Sequence, residues 1–225
     1  MSSHYKALTR RTNPKTIPIF PLSGAVMLPA CDLPLTIFEP RYLNMVDDAL
    51  KSDRLIGMIQ TEDNNLAKIG GLGRICQFAE QEDGRYLIVL KGLKRFRILS
   101  EPSVSTPYRQ AAISFEEFDG DAELHIAKKD LEALSDTKRS ERAALTVAMK
   151  ALAKKLRVEV DWEGLSQIPM PLLVNQTAMI SPFDSEDKQS LLEAVTPDER
   201  RKLLTGLLHL YANKATGQAA PETKQ

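Results

Sequence analysis

The sequence predicts an α+β fold, with a first half of short strands that close on one another beneath a single helix and a second half made of helices. Three observations carry that expectation. Residues Ile17 to Tyr42 read IPIFPLSGAVMLPACDLPLTIFEPRY, short apolar segments broken by Pro18, Pro21, Pro29, Pro34 and Pro40, which suits strands and corners and excludes a long helix. Dense turn chemistry continues to about Phe115. After Asp119-Gly120 the texture changes to long charged segments with apolar residues at helical spacing.

In chain order, Leu33 to Ile37 is the first clear strand segment. Glu39-Pro40-Arg41 then places proline where its missing N–H costs nothing, and Tyr42, Val46, Ala49 and Leu50 recur at helical spacing, so a helix is predicted to about Ser52. It is expected to cover the mouth or one flank of a compact barrel. Leu55 to Gln60, Ile75 to Ala79, Arg85 to Leu90 and Arg109 to Phe115 are further strands, and Glu82-Asp83-Gly84 tolerates positive φ, making Ile75 to Leu90 a hairpin. Gly70, Gly71 and Gly73 suit a turn or a close backbone approach, and Gly92 suits a bulge.

The second half should hold two packed helices joined near Asp136 to Ser140, one with the stripe Leu124, Ala127, Leu131, Leu134 and one with Leu145, Ala148, Leu152, Leu156. Ser181-Pro182-Phe183-Asp184 breaks the segment Met170 to Ile180 and starts a helix that buries Leu191, Leu192 and Val195. Thr196-Pro197-Asp198-Glu199 is a capping box, worth about 0.5–2 kcal/mol at the cap, before a stripe of Leu203, Leu204, Leu207, Leu208 and Tyr211. The expected division is a β subdomain over 15–118, a helical subdomain over 119–213, and flexible tails at 1–14 and 214–225. A soft boundary with a shared core is expected rather than two freely moving bodies.

Thirty basic and thirty acidic residues leave no global field toward nucleic acid or an anionic membrane. The N-terminus carries basic residues without an apolar run behind them, and nowhere do about 18 apolar residues follow one another, so neither a signal peptide nor a membrane span is expected. Cys31 and Cys76 stand apart without CxxC spacing and read as reduced, buried thiols, which suits a cytoplasmic protein.

Ile37-Phe38-Glu39-Pro40-Arg41-Tyr42, Gly70-Gly71-Leu72-Gly73-Arg74-Ile75, and Asp83 to Leu90 followed by Lys91-Gly92-Leu93-Lys94-Arg95-Phe96 resemble, in order and spacing, the N-terminal substrate-binding domain of the Lon ATP-dependent proteases. Lys188 to Ala194 and Glu199-Arg200 are similar to the helices of its stand-alone bacterial members. The resemblance covers about Ile17 to Leu208. It implies a small PUA-like closed β-barrel with a helical subdomain behind it, and a part in recognising unfolded or tagged protein.

No Gly-Lys-Ser/Thr phosphate loop, Gly-x-Ser-x-Gly elbow or metal-ligand spacing of His4, His125 and His209 is found, so no cofactor and no catalytic activity are expected. Asp47-Asp48 and Glu116-Glu117 read as exposed carboxylates. The leading expectation is a non-catalytic module for an extended protein segment or a partner protein. Val26, Met27 and Leu28 in the loop Gly24 to Cys31 would make apolar contact, with Arg41, Arg74 and Arg95 as rim charges; the competing reading of that loop is a satellite core strand. RNA binding through Lys91, Lys94, Arg95 and Arg97 is an alternative, with Arg95 and Arg97 on one face and Phe96 on the other. A small-molecule site where the two halves meet is another. Phe38, Tyr42 and Phe96 are expected to anchor the core, and Arg41 to pair with a carboxylate of the barrel.

Overall fold

A computed structural model describes residues 15–62, 65–125 and 136–214. The β half contains β1 (Thr16–Pro21), β2 (Asp32–Ile37), α1 (Pro40–Leu50), β3 (Leu55–Ile59), the short pair β4 (Thr61–Glu62) and β5 (Asn65–Leu66), β6 (Ile69–Glu80), β7 (Tyr86–Ser100) and β8 (Gln110–Ser114). The main sheet runs β2-β7-β6-β3-β1-β8, and β7 also pairs with β8, so five strands close into a ring with β2 attached outside it. β1 and β3 are parallel, and the other pairings of the main sheet are antiparallel. The length of β7 makes closure possible, because Tyr86 to Lys91 pair with β2 while Arg97 to Ser100 reach β8.

Small and large residues alternate where the ring needs them. Phe96 is fully buried among Ile17, Ile19, Leu72 and Ala111, and a Cβ on Gly57 or Gly70 would meet its ring at 2.9 or 2.6 Å. Burying such a ring contributes about 1.5–3 kcal/mol. On the outer face, α1 places Tyr42, Met45, Val46 and Ala49 against Ile56, Met58, Ile75, Ile88 and Leu90. Tyr42 meets Phe20 edge-on at 4.4 Å.

The segment between β1 and β2 crosses the sheet where Gly71 and Gly92 present no side chain. A Cβ at Gly71 would lie 1.9 Å from the Met27 carbonyl oxygen, and one at Gly92 would lie 2.1 Å from that of Leu28. Ala30 donates to the Gly92 carbonyl at 2.9 Å, and the Gly92 amide donates to Cys31 at 2.8 Å. The register slips between Leu72 and Gly73 opposite this glycine, as a bulge there requires.

Beyond the ring lie a 3-10 segment (Glu116–His125), α2 (Asp136–Leu156), α3 (Trp162–Ser166), α4 (Met170–Ile180), α5 (Ser185–Glu193) and α6 (Pro197–Asn213). Their core takes Leu145, Ala148, Leu173, Ala178, Leu191 and Leu204, together with Val26, Leu28, Cys31 and Ile69 from the β half. The two halves therefore share one apolar core. The Thr196 capping box forms with both bonds, and Asp184 caps α5 by accepting from the Asp187 amide.

Several expected burials are overturned. Phe38 is 61% exposed, because Ile37 takes the inward position at the end of β2 and alternation turns its neighbour outward. Leu156, Val195 and Leu203 are exposed: Leu156 ends α2, Val195 follows α5, and Leu203 stands one position round the helix from buried Leu204. Cys76 is exposed although Cys31 is buried. The expected joint at Asp136 to Ser140 is the start of α2, and of the earlier stripe Leu124 falls in the 3-10 segment while Ala127, Leu131 and Leu134 lie outside the described residues.

Candidate peptide-binding edge

The second half of β6 and the first half of β7 form a hairpin that projects past the ring. Gly84, at φ +80°, supplies the turn, closed by Gln81 donating to Arg85 at 2.8 Å. Asp83 accepts from the Arg85 guanidinium at 2.7 Å, and that hydrogen bond, then the Arg85 backbone bond, holds its carboxyl below the usual range. β2 lines the other side of β7, giving three strands.

The two faces of this extension differ. Directly paired residues share a face, so Leu33, Leu35, Ile37, Tyr86, Ile88 and Leu90 stand on the side covered by α1. Phe78 pairs with Ile88 on that same side but lies beyond the helix, 42% exposed, with its ring edge-on to Tyr86 at 5.0 Å. The opposite face carries Pro34, Thr36, Gln77, Ala79, Leu87 and Val89. Leu87 is 41% exposed there, and a shallow cavity of about 410 Å³ runs over these strands. Arg74 and the Lys91–Asp32 ion pair, at 2.9 Å, border this apolar face.

Both outer strands of the extension are edges, and their chemistry is unequal. β2 carries Pro34 at its centre, a residue without an amide hydrogen that blunts an edge. β6 pairs with β3 only as far as Arg74 opposite Leu55; from Gln77 to Glu80, among the described residues, it pairs with β7 alone, without a proline. Its free side is a row of main-chain donors and acceptors beside two exposed apolar side chains.

The residues singled out from the sequence are not brought together. Val26, Met27 and Leu28 are at most 3% exposed, so the loop is core and no ligand reaches them as the chain is folded. Their cover comes from Gly71, Gly92 and α4, whose Asn175 donates to the Pro29 carbonyl at 3.0 Å. Arg95 is 1% exposed and bound to Asp121 at 2.8 Å, which removes it from any rim. Arg41 is exposed on α1, paired at 2.7 Å with Glu39 rather than with a strand carboxylate, and its guanidinium lies 4.5 Å from the Tyr42 ring centre. It lines a separate cavity of about 250 Å³ with Tyr108 and Arg109, the latter held by Glu101 at 2.6 Å. Arg74 alone borders the exposed face. Sequence reasoning missed Phe78, Leu87 and the free edge, although the hairpin and its alternation were readable.

The basic stripe considered for RNA is likewise spent within the fold. Arg95 and Arg97 do share a face, opposite Phe96, but Arg97 is bidentate to Glu117, Lys91 is paired with Asp32, and Lys94 sits 3.8 Å from the Phe115 ring centre. Asp47 and Asp48 accept from Tyr86 and Tyr108 at 3.2 and 2.9 Å. A cleft of about 430 Å³ between Gln60, Thr61 and Asn65 to Ala67 on one side and α5 on the other marks where the halves meet. Among the described residues no group of three or more His, Cys, Asp or Glu is placed to hold a metal, and no helix is long and apolar enough to cross a membrane.

Residues 16–209 match the family described as the ATP-dependent protease La (LON) substrate-binding domain. Lon protease of Syntrophus aciditrophicus is 28% identical over 206 residues, covering 85% of this chain and 25% of that protein. Lon protease 2 of Myxococcus xanthus is 28% identical over 214 residues, 87% of this chain and 24% of its own length. The chain thus spans about a quarter of the curated relatives it matches. Among solved structures, a Lon N-terminal domain protein from Xanthomonas campestris superimposes with a TM-score of 0.60 at 21% identity, and the N-terminal domain of Mycobacterium avium complex Lon protease with 0.61 at 18%; each comparison covers 86% of this chain and 98% of the other.

Proposed function

This chain belongs to the Lon substrate-binding domain family, and from that premise we propose that it is a non-catalytic recognition module that holds an extended, apolar segment of another protein as an added strand on β6. The observation that carries the reading is the free edge Gln77–Glu80, flanked by exposed Phe78 and Leu87 and bordered by Arg74. Main-chain hydrogen bonds supply affinity independent of sequence, and the apolar faces on either side of the sheet select for alternating apolar residues. A module that meets many unfolded clients needs that combination. The absence of a phosphate loop from the sequence and the engagement of Arg95, Arg97 and Arg109 in ion pairs with Asp121, Glu117 and Glu101 support a role without chemistry.

The test is fluorescence anisotropy with a labelled apolar peptide of alternating Val and Leu. Phe78→Asp together with Leu87→Asp should weaken binding by roughly tenfold or more with an unchanged far-UV spectrum. Methylating alternate amides of the peptide should abolish binding in one phase of alternation and spare it in the other, since only one set faces β6. Equal binding by all of these would discard the edge as the site.

A further inference from the structure

The β6 edge has a blind end. β3 pairs with β6 from Met58 opposite Gly71 to Leu55 opposite Arg74, and the Arg54 carbonyl still accepts from the Ile75 amide at 2.8 Å. A chain added along Gln77–Glu80 therefore lies in line with β3 and meets Arg54 head-on. It must end there or leave the sheet. Four residues at about 3.3 Å each give roughly 13 Å of edge, room for a short terminal segment.

Charge is distributed along that edge with a direction. At the blind end stand Arg54, exposed, and Arg74, half-buried, neither of them in an ion pair among the described residues. The Arg54 backbone is held in place, at φ 61°, with its amide donating to the Ala49 carbonyl at 2.9 Å. At the open end Glu80 and Glu82 are exposed, while Asp83 is already taken by Arg85. A strand antiparallel to β6 runs in the direction of β3, from Glu80 toward Arg54, and carries its C-terminus to the two arginines. A parallel strand would bring its C-terminus to the glutamates.

Resting on the reading proposed above, we infer that the preferred occupant is the C-terminal end of a partner polypeptide, apolar and extended, antiparallel to β6, with its α-carboxylate bound by Arg54 and Arg74. The carboxylate supplies the charge the arginines lack, and a chain terminus is what the blocked line accepts. Internal apolar segments bind less well because they must turn out of the sheet at Arg54.

The experiment uses the full chain and three labelled peptides of about ten residues with one alternating Val/Leu sequence: a free acid, its C-terminal amide, and a form extended by Gly-Ser beyond the apolar stretch. The free acid should bind roughly tenfold more tightly than the other two, an advantage that shrinks as salt rises and vanishes in Arg54→Gln/Arg74→Gln. If all three bind alike while Phe78→Asp/Leu87→Asp abolishes them, the terminus is not recognised and the edge reading survives. Failure of all three to bind overturns both. Sedimentation equilibrium showing a dimer that the arginine changes dissociate would instead assign the edge to a second copy of the chain and overturn the inference.

Discussion

Arg95 and Asp121 form an ion pair at 2.8 Å with side chains 1% and 3% exposed, and the same guanidinium donates to the carbonyls of Leu192, Ala194 and Val195. A strand of the ring is thereby tied to the link between α5 and α6. Arg200, fully buried, continues the network by donating to Leu191, Ala194 and Asn175. No buried side-chain nitrogen or oxygen among the described residues lacks a partner. Removing one member of such a pair leaves the other charged and dry, so Asp121→Ala should cost about 3–5 kcal/mol in urea unfolding. Replacing both, Arg95→Met with Asp121→Leu, should cost less than the single change, a difference a double-mutant cycle reads directly.

Glycines of the sheet and of a helix predict opposite signs for one chemical change. Gly71→Ala and Gly92→Ala drive a methyl into the backbone of Met27 and Leu28 and should each destabilise by about 1–3 kcal/mol or more. Gly206→Ala, in α6 with nothing within 4 Å of the new methyl, should stabilise by about 1 kcal/mol through helix propensity. Thermal unfolding of the three variants checks both signs.

These glycines also show why the candidate site was only partly legible. The Thr196 cap and the Gly84 turn were readable because every partner lies within four residues. Val26, Met27 and Leu28 looked like an exposed apolar loop because their cover arrives from Gly71, Gly92 and α4, far along the chain. Arg95 looked like a surface cation for the same reason: its acceptors lie 26 to 100 residues away. Five of the strands and the β6–β7 hairpin followed from local pattern, whereas β1, the order of pairing in the sheet and which edge stays free depend on long-range partners, among them where β3 stops pairing with β6, which alternation does not encode.

Thiol chemistry should separate the two cysteines. Burial, the largest cause, pushes the Cys31 thiol up to about 12, whereas Cys76 is exposed at the slip between Ile75 and Gln77. A disulfide reagent at pH 8 should titrate Cys76 at once and Cys31 only on unfolding. Because the folded value lies above the unfolded one, the Cys31 contribution to stability is intact below pH 9 and falls as pH rises toward 12. Cys31→Ala should flatten that alkaline decline.

Acid should loosen the α5 end of the helical half. The Asp187 amide, first among its causes, and the Tyr211 hydroxyl hold the Asp184 carboxyl below its ordinary 3.8. A depressed folded value gives stability that is present above the unfolded value and lost as pH falls through the folded one. Asp184→Asn keeps an acceptor for the cap, so its stability at pH 7 should stay close to that of the parent. Its unfolding midpoint should nevertheless fall less steeply below pH 4, because no carboxylate remains there to protonate. Equal acid slopes in the two proteins would show that the Asp184 charge adds nothing beyond the geometry of the cap.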